Sequence, residues 1–176
     1  MEDIRSGDFP HFDLIYLDPA RRDKSGGRVY SIADCEPNLV EWRDALLAKA
    51  NNILAKVSPM ADISLIMDEL PGITQVHILS VEHECKELLL KIGPTDATEP
   101  QIGCVNILKS GVQHFEFKRA EEAEAAASYI APEELSHFAQ GQCHLYEPNK
   151  SVSKGGAFKL LTGRFGVKKV SPATHL

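Results

Sequence analysis

The order of elements along this 176-residue chain predicts an α/β fold: a mostly parallel sheet with an antiparallel end, plus a small C-terminal segment. Three observations carry the prediction. Short apolar runs alternate with segments of helical periodicity up to about residue 92. Two strand-like runs then flank Ser110-Gly111 in the pattern of a hairpin. The composition, 43% hydrophobic and 25% charged, suits a globular chain long enough to bury a core without disulfide or metal staples.

Taken in order, Phe12–Leu17 (FDLIYL) is too short for a helix and is stopped by Asp18-Pro19, so it reads as a buried strand. A polar loop through Ser25-Gly26-Gly27 follows. Asn38 is placed to cap a helix over LVEWRDALLAKA, in which Leu39, Trp42, Leu46 and Leu47 share one face. Ile53–Val57 is a second strand, ended by Ser58-Pro59. Residues 62–70 read as a short helix closed by Pro71-Gly72, and Val76–Val81 as a third strand. Glu82–Ile92 fits either period; the Glu87–Lys91 pair and the three leucines favour a helix. Ile102–Leu108 and Val112–Phe117 form the hairpin. Arg119–Ser128 is rich in alanine and glutamate and reads as a helix, and Pro132-Glu133-Glu134 as the start of another. The chain thus divides into residues 1–118, a helical linker over 119–140, and a C-terminal unit over 141–176. In that unit Tyr146–Asn149 is an extended turn, and Lys154-Gly155-Gly156 precedes a helix over Ala157–Phe165 closed by Gly166.

Several function classes fall away. No apolar run approaches the ~20 residues that cross a bilayer, and the charged start MEDIRSGDF has no signal core. The four cysteines form no CxxC pair, which fits reduced thiols and a cytoplasmic protein. His83 and Cys85 lack companions for a four-ligand metal set, and no GxSxG elbow occurs. Charge is unevenly spread: the net −6 divides into +6 over residues 150–176 and −12 over the rest. The basic segment is the candidate RNA contact, with Lys154 and its glycines at a helix amino end suited to a phosphate; solvated lysines on an ordinary turn are the alternative.

In parallel sheets, ligands bind beyond the carboxyl ends of the strands. That directs attention to Asp18–Arg22, Ser58-Pro59 and Glu82–Glu84. The sharpest feature is DLIYLDPARR, an apolar strand that delivers Asp-Pro at its end, where proline turns the chain. It resembles the fourth-strand motif of class I S-adenosylmethionine-dependent methyltransferases, standing here as Asp18-Pro19-Ala20-Arg21. With LAKVSPMADI, VEHECKE and LYEPNKSVSKGGAFKLL, nearly the whole chain resembles methyltransferase-like proteins with a C-terminal THUMP-like domain. The resemblance implies a Rossmann-like methyltransferase fold over 1–118 and the start of a THUMP-like domain over 141–176. It further implies S-adenosylmethionine as cofactor and RNA as a partner. Asp18 and the Pro19 carbonyl would orient the acceptor, and Arg21 or Arg22 would hold a base or phosphate. Arg21 can equally pair with Asp23 or Asp34 on the surface. Ser58 and Lys154 complete the expected substrate contacts.

The pattern departs from that family in one respect. No GxGxG loop occurs, and only Met1–His11 precede the DPARR strand. The expectation is therefore the carboxyl-terminal part of a longer enzyme, inactive and weak in cofactor binding on its own. In the related enzymes that methylate pyrimidine C5, a cysteine nucleophile follows the fourth-strand motif's proline or lies past the fifth strand; the matching places here, Ala20-Arg21 and Ser58-Pro59, hold none, so the resemblance implies a nitrogen or oxygen acceptor. The alternative is a non-catalytic RNA-binding or interaction module that keeps the fold. A chain starting here would also leave the strand at 12–17 with an open edge, covered by Met1–His11 or by a second copy in a homodimer.

Overall fold

A computed structural model describes residues 7–21, 32–94, 99–136, 140–141 and 143–174. Its strands are β1 (Phe12–Leu17), β2 (Ala20–Arg21), β3 (Cys35–Glu36), β4 (Ala50–Val57), β5 (Ile73–Val81), β6 (Glu84–Ile92), β7 (Gln101–Leu108) and β8 (Gly111–Lys118). Its α-helices are α1 (Leu39–Leu47), α2 (Ile63–Glu69), α3 (Arg119–Glu124), α4 (Lys150–Gly155) and α5 (Phe158–Phe165). Six strands form one sheet in the order β1-β4-β6-β5-β7-β8. The pairs β1/β4 and β5/β7 are parallel, while β6 is antiparallel to both β4 and β5 and β8 is antiparallel to β7. Thus β1, β4, β5 and β7 run one way and β6 and β8 the other, a Rossmann-like mixed sheet with the expected antiparallel end.

Local chemistry explains the crossovers. The Asn38 carboxamide oxygen accepts from the Val40 and Glu41 backbone amides at 3.0 and 3.4 Å, starting α1. The Asp62 carboxylate accepts from Ser64 and Leu65 at 2.8 and 3.1 Å, starting α2. Each helix carries the chain back so that the next strand can run parallel to the one before the helix. Leu39 and Leu46 of α1, Ile63 and Ile66 of α2 and Val152 of α4 join Ile53, Leu88, Leu90, Val76 and Ile78 of the sheet in a single core. Gly155 lets α4 lie close on the sheet: a Cβ there would stand 3.1 Å from Cys104 Sγ and 3.2 Å from Phe117. Gly156 then ends α4 at φ +79°, a conformation that favours glycine.

The structure corrects four sequence expectations. Residues 84–92 form β6, not a helix, and this strand sits between β4 and β5. Its turn uses Glu82 and His83 at φ 48° and 64°, held by a bond from the Lys109 amide to the Glu82 carboxylate at 2.8 Å. The helix expected over 119–128 stops at Glu124, because Ala125 is extended. Lys154-Gly155-Gly156 is the last turn and cap of α4, a helix begun by Asn149, whose side chain accepts from the Val152 amide at 3.1 Å. Strand β1 is at an edge of the sheet with only Ile15 buried, so it is not a buried strand. Among the described residues no helix is long and apolar enough to cross a membrane.

Candidate functional site

The carboxyl ends of β1 and β4 lie side by side because these strands pair in parallel register, Leu17 opposite Ala55. The residues that follow are Asp18-Pro19 on one strand and Lys56, then Ser58-Pro59, on the other. Asp18 Oδ2 lies 2.6 Å from Lys56 Nζ. Glu87, near the start of the neighbouring β6, stands 4.0 Å from the same ammonium. The hydrogen bond with Asp18 holds the Lys56 ammonium above its ordinary range, against a smaller opposing effect of desolvation. The Asp18 side chain remains 53% exposed and that of Lys56 29%, so the pair is open to an incoming group. Pro19 is buried and anchors the turn.

The other expected residues divide. The Ser58 hydroxyl accepts from the Met60 amide at 3.1 Å, and its carbonyl accepts from Ala61 at 3.0 Å. Ser58 thus shapes the turn into α2 while standing at the same end of the sheet as Asp18. Arg21 continues the chain in a two-residue ribbon with Cys35. Its side chain and all of Arg22 lie outside the described residues. Lys154 is in the last turn of α4, on the helix-covered face of the sheet. Alternation along β4 between buried Ala55 and Val57 turns Lys56 to the opposite face. The sheet therefore separates Lys154 from the Asp18–Lys56 pair. Lys154 lines a cleft of 290 Å³ with Met60, Asp62, Ser64 and Arg119.

The amino end of α5, the expected phosphate position, already holds an anion. The two oxygens of the Glu122 carboxylate accept from the Lys159 and Leu160 amides at 2.8 and 2.9 Å. The basic tail is likewise engaged with the acidic stretch before it. Arg164 bonds Glu121 at 3.2 Å, Lys168 bonds Glu134 at 2.8 Å, and Lys150 pairs with Glu147. Lys159 Nζ donates to the Ala123 carbonyl at 2.7 Å, and Lys169 sits 5.5 Å over the Phe158 ring. The charge asymmetry visible in the sequence is therefore spent largely on internal contacts.

Sequence reasoning passed over Lys56 and Glu87. Lys56 lies in the apolar run ILAKV, where a single lysine suggests only the solvent side of a strand. Glu87 was absorbed into the expected helix. The signal that could have found Lys56 is a cation two residues before Ser58-Pro59, level with Asp18 once the strands are taken as parallel neighbours. Burial pushes the Cys85 thiol up, opposed in part by Lys154, and pushes Cys104 up to about 12.

Residues 144–176 match a family described as a ferredoxin-like domain. No curated protein matches the chain. Among solved structures, the chain is similar to the crystal structure of a "putative methyltransferase" from Porphyromonas gingivalis W83, at 35% identity and a TM-score of 0.77. That likeness covers 93% of this chain, which spans 38% of the length of the solved protein. The ferredoxin-like match replaces the THUMP-like domain expected over 141–176, and with it goes that domain's implication of RNA. The YEPN segment that suggested it has a local structural role: Glu147 pairs with Lys150, the Pro148 carbonyl accepts from Ser153, and Asn149 caps α4. These are general requirements for starting a helix, and they do not distinguish one family from another.

Proposed function

We propose that this chain forms the acceptor side of an S-adenosylmethionine-dependent methyltransferase, acting on a nitrogen or oxygen acceptor. The observation that carries the reading is Asp18 at the carboxyl end of a parallel strand, half exposed and hydrogen-bonded by Lys56. A carboxylate held this way can accept a hydrogen bond from an acceptor N–H or O–H and orient its lone pair, with the Pro19 carbonyl alongside. Lys56 holds the Asp18 carboxylate in place by its 2.6 Å contact, and the incoming donor shares its oxygens. The similarity to the Porphyromonas gingivalis protein supports the reaction class.

The residues present do not by themselves fit the cofactor. Among the described residues, the turns after the parallel strands are Asp18-Pro19, Ser58-Pro59, Glu82-His83 and Lys109-Ser110, none of them glycine-rich. The isolated chain is therefore expected to be inactive. RNA is the acceptor class proposed, with Arg21 and Arg22, which follow Asp18-Pro19 in the sequence, as candidate contacts; in the tail, Lys150, Arg164 and Lys168 are paired with carboxylates. The test is methyl transfer to RNA by a longer polypeptide carrying this segment. Asp18→Ala should lower kcat at least 100-fold with little change in cofactor affinity. An unchanged rate would remove Asp18 from the site, and methylation absent from every such polypeptide would favour a non-catalytic module.

A further inference from the structure

The hairpin of β5 and β6 reaches past its neighbour β4. Val57 at the end of β4 pairs with Leu88, while Glu84 and Cys85 pair with Val81 and Ser80 of β5 and with no residue of β4. Four residues of β6 therefore project beyond β4, roughly 13 Å at ~3.3 Å per residue. The tip is Glu82-His83, at the same end of the sheet as Asp18 because β1 and β5 run the same way. Both tip residues have positive φ, where glycine or asparagine is the usual occupant, and both are braced by side-chain bonds to the β7–β8 hairpin. Glu82 accepts from the Lys109 amide. The Asn106 carboxamide oxygen accepts from the His83 backbone amide at 3.3 Å, and its nitrogen lies 3.3 Å from His83 Nδ1 and donates to Gln113 Oε1 at 3.0 Å. Asn106 is fully buried, yet its bonds serve an exposed imidazole.

These bonds fix the ring's tautomer. A backbone N–H can only donate, so the Asn106 oxygen faces the His83 amide and the nitrogen faces the ring and Gln113. His83 Nδ1 therefore accepts, and the neutral imidazole carries its proton on Nε2. From the other side, the Val152 amide donates to Asn149 Oδ1 at 3.1 Å and Asn149 Nδ2 donates to Gln113 Oε1 at 3.5 Å, which keeps that oxygen turned toward Asn106. The carboxylates around His83 are engaged: Glu82 with the Lys109 amide, Glu84 with Lys86 and Glu147 with Lys150. Lys109 is exposed on the joined turn, and its ammonium forms no ion pair among the described residues.

We infer that His83 Nε2–H and the Lys109 ammonium form a phosphate contact, with Asn106 as the positioning residue that aims the ring. A fixed N–H beside an ammonium suits a phosphate oxygen. The source of the phosphate rests on the RNA acceptor proposed above. Strand β5 lies three strand spacings from β1 in the sheet, ~14 Å, so the phosphate contacted belongs to a nucleotide flanking the one presented to Asp18.

The test is NMR titration of the 15N-labelled 176-residue chain at low salt, with inorganic phosphate and with a short oligouridylate. The ring spectrum of His83 should place the proton on Nε2. Both probes should shift Nε2 and the Lys109 ammonium saturably, the oligonucleotide at a concentration at least ~10-fold lower. His83→Ala and Lys109→Met should each weaken oligouridylate binding at least ~3-fold. Asn106→Leu, which leaves both contacting groups in place, should mix the two tautomers and weaken binding similarly; the wild-type ring spectrum carries this part of the test should that variant not fold. Saturable phosphate binding with no gain from the oligonucleotide would support the contact and remove RNA as its source. A proton on Nδ1, shifts that do not saturate with either probe, or unchanged binding by His83→Ala would overturn the inference.

Discussion

Removing the Glu122 carboxylate should loosen the C-terminal helices by an amount the structure allows us to work out. Helix α5 begins at Ala157, which cannot cap its own amides, and Glu122 performs that task from a distance with bonds of 2.8 and 2.9 Å. Losing a helix cap costs about 0.5–2 kcal/mol, and a carboxylate at a helix amino end adds roughly 0.3–1 kcal/mol. Glu122 is half-buried, so water recovers part of this. We expect a loss of about 1–2 kcal/mol for Glu122→Ala. For a chain of this size, at ~2–4 °C per kcal/mol, the midpoint falls by about 2–8 °C. Thermal unfolding followed at 222 nm measures it, and Glu122→Gln should fall between wild type and Ala. Phosphate provides the control. Wild type, with its amides occupied, should not be stabilised by millimolar phosphate, whereas Glu122→Ala should recover part of its loss. A midpoint unchanged within 1 °C in Glu122→Ala, or phosphate stabilisation of wild type, would refute the argument that the carboxylate occupies the helix end.

Two further predictions concern titration. Burial raises the Cys104 thiol to about 12 in the folded chain, against roughly 8.5 when unfolded. A raised folded pKa gives stability that is complete below the unfolded value and declines as pH climbs toward the folded one. Stability should therefore fall between about pH 8.5 and 12 with a component that Cys104→Ala removes, and Cys104 should resist thiol reagents at pH 8 until the chain unfolds. The Lys150 ammonium holds Glu147 below the usual carboxylate range, chiefly through their hydrogen bond. A lowered folded pKa gives stability present above the unfolded value of about 4.3 and lost as pH falls through the folded one. Acid titration of Lys150→Met, followed by the Glu147 carboxyl carbon in NMR, should show that carboxyl returning toward its ordinary range.

Much of the sheet is legible in the sequence because its strands end at strong punctuation. Asp18-Pro19, Ser58-Pro59 and Pro71-Gly72 close elements, while Asn38 and Asp62 open helices through bonds the structure displays. The β6 region was misread for a physical reason. Leu88 and Leu90 are buried but Leu89 between them is apolar as well, so the run shows no alternation. Leu89 pairs with His77 of β5, and an apolar residue on the face turned away from the core removes the contrast on which strand recognition rests. The turn at Glu82-His83 also lacks the glycine or asparagine that announces a hairpin. Helix α4 went unseen because KSVSKG is poor in helix formers and owes its start to Asn149. At the candidate site, Asp18 was legible as the end of a strand, whereas Lys56 emerges only from the register between strands that are distant in sequence.

The proposed reading is that Asp18 orients the acceptor of a methyl transfer, while the turns after the described parallel strands do not by themselves hold S-adenosylmethionine. Calorimetric titration of S-adenosylmethionine tests it most directly, into the 176-residue chain and into a longer polypeptide in which the segment is embedded. The account predicts saturable binding by the longer molecule, retained in Asp18→Ala, and no measurable saturation by the chain alone. Tight binding by the isolated 176 residues, or none by the longer molecule, would contradict it.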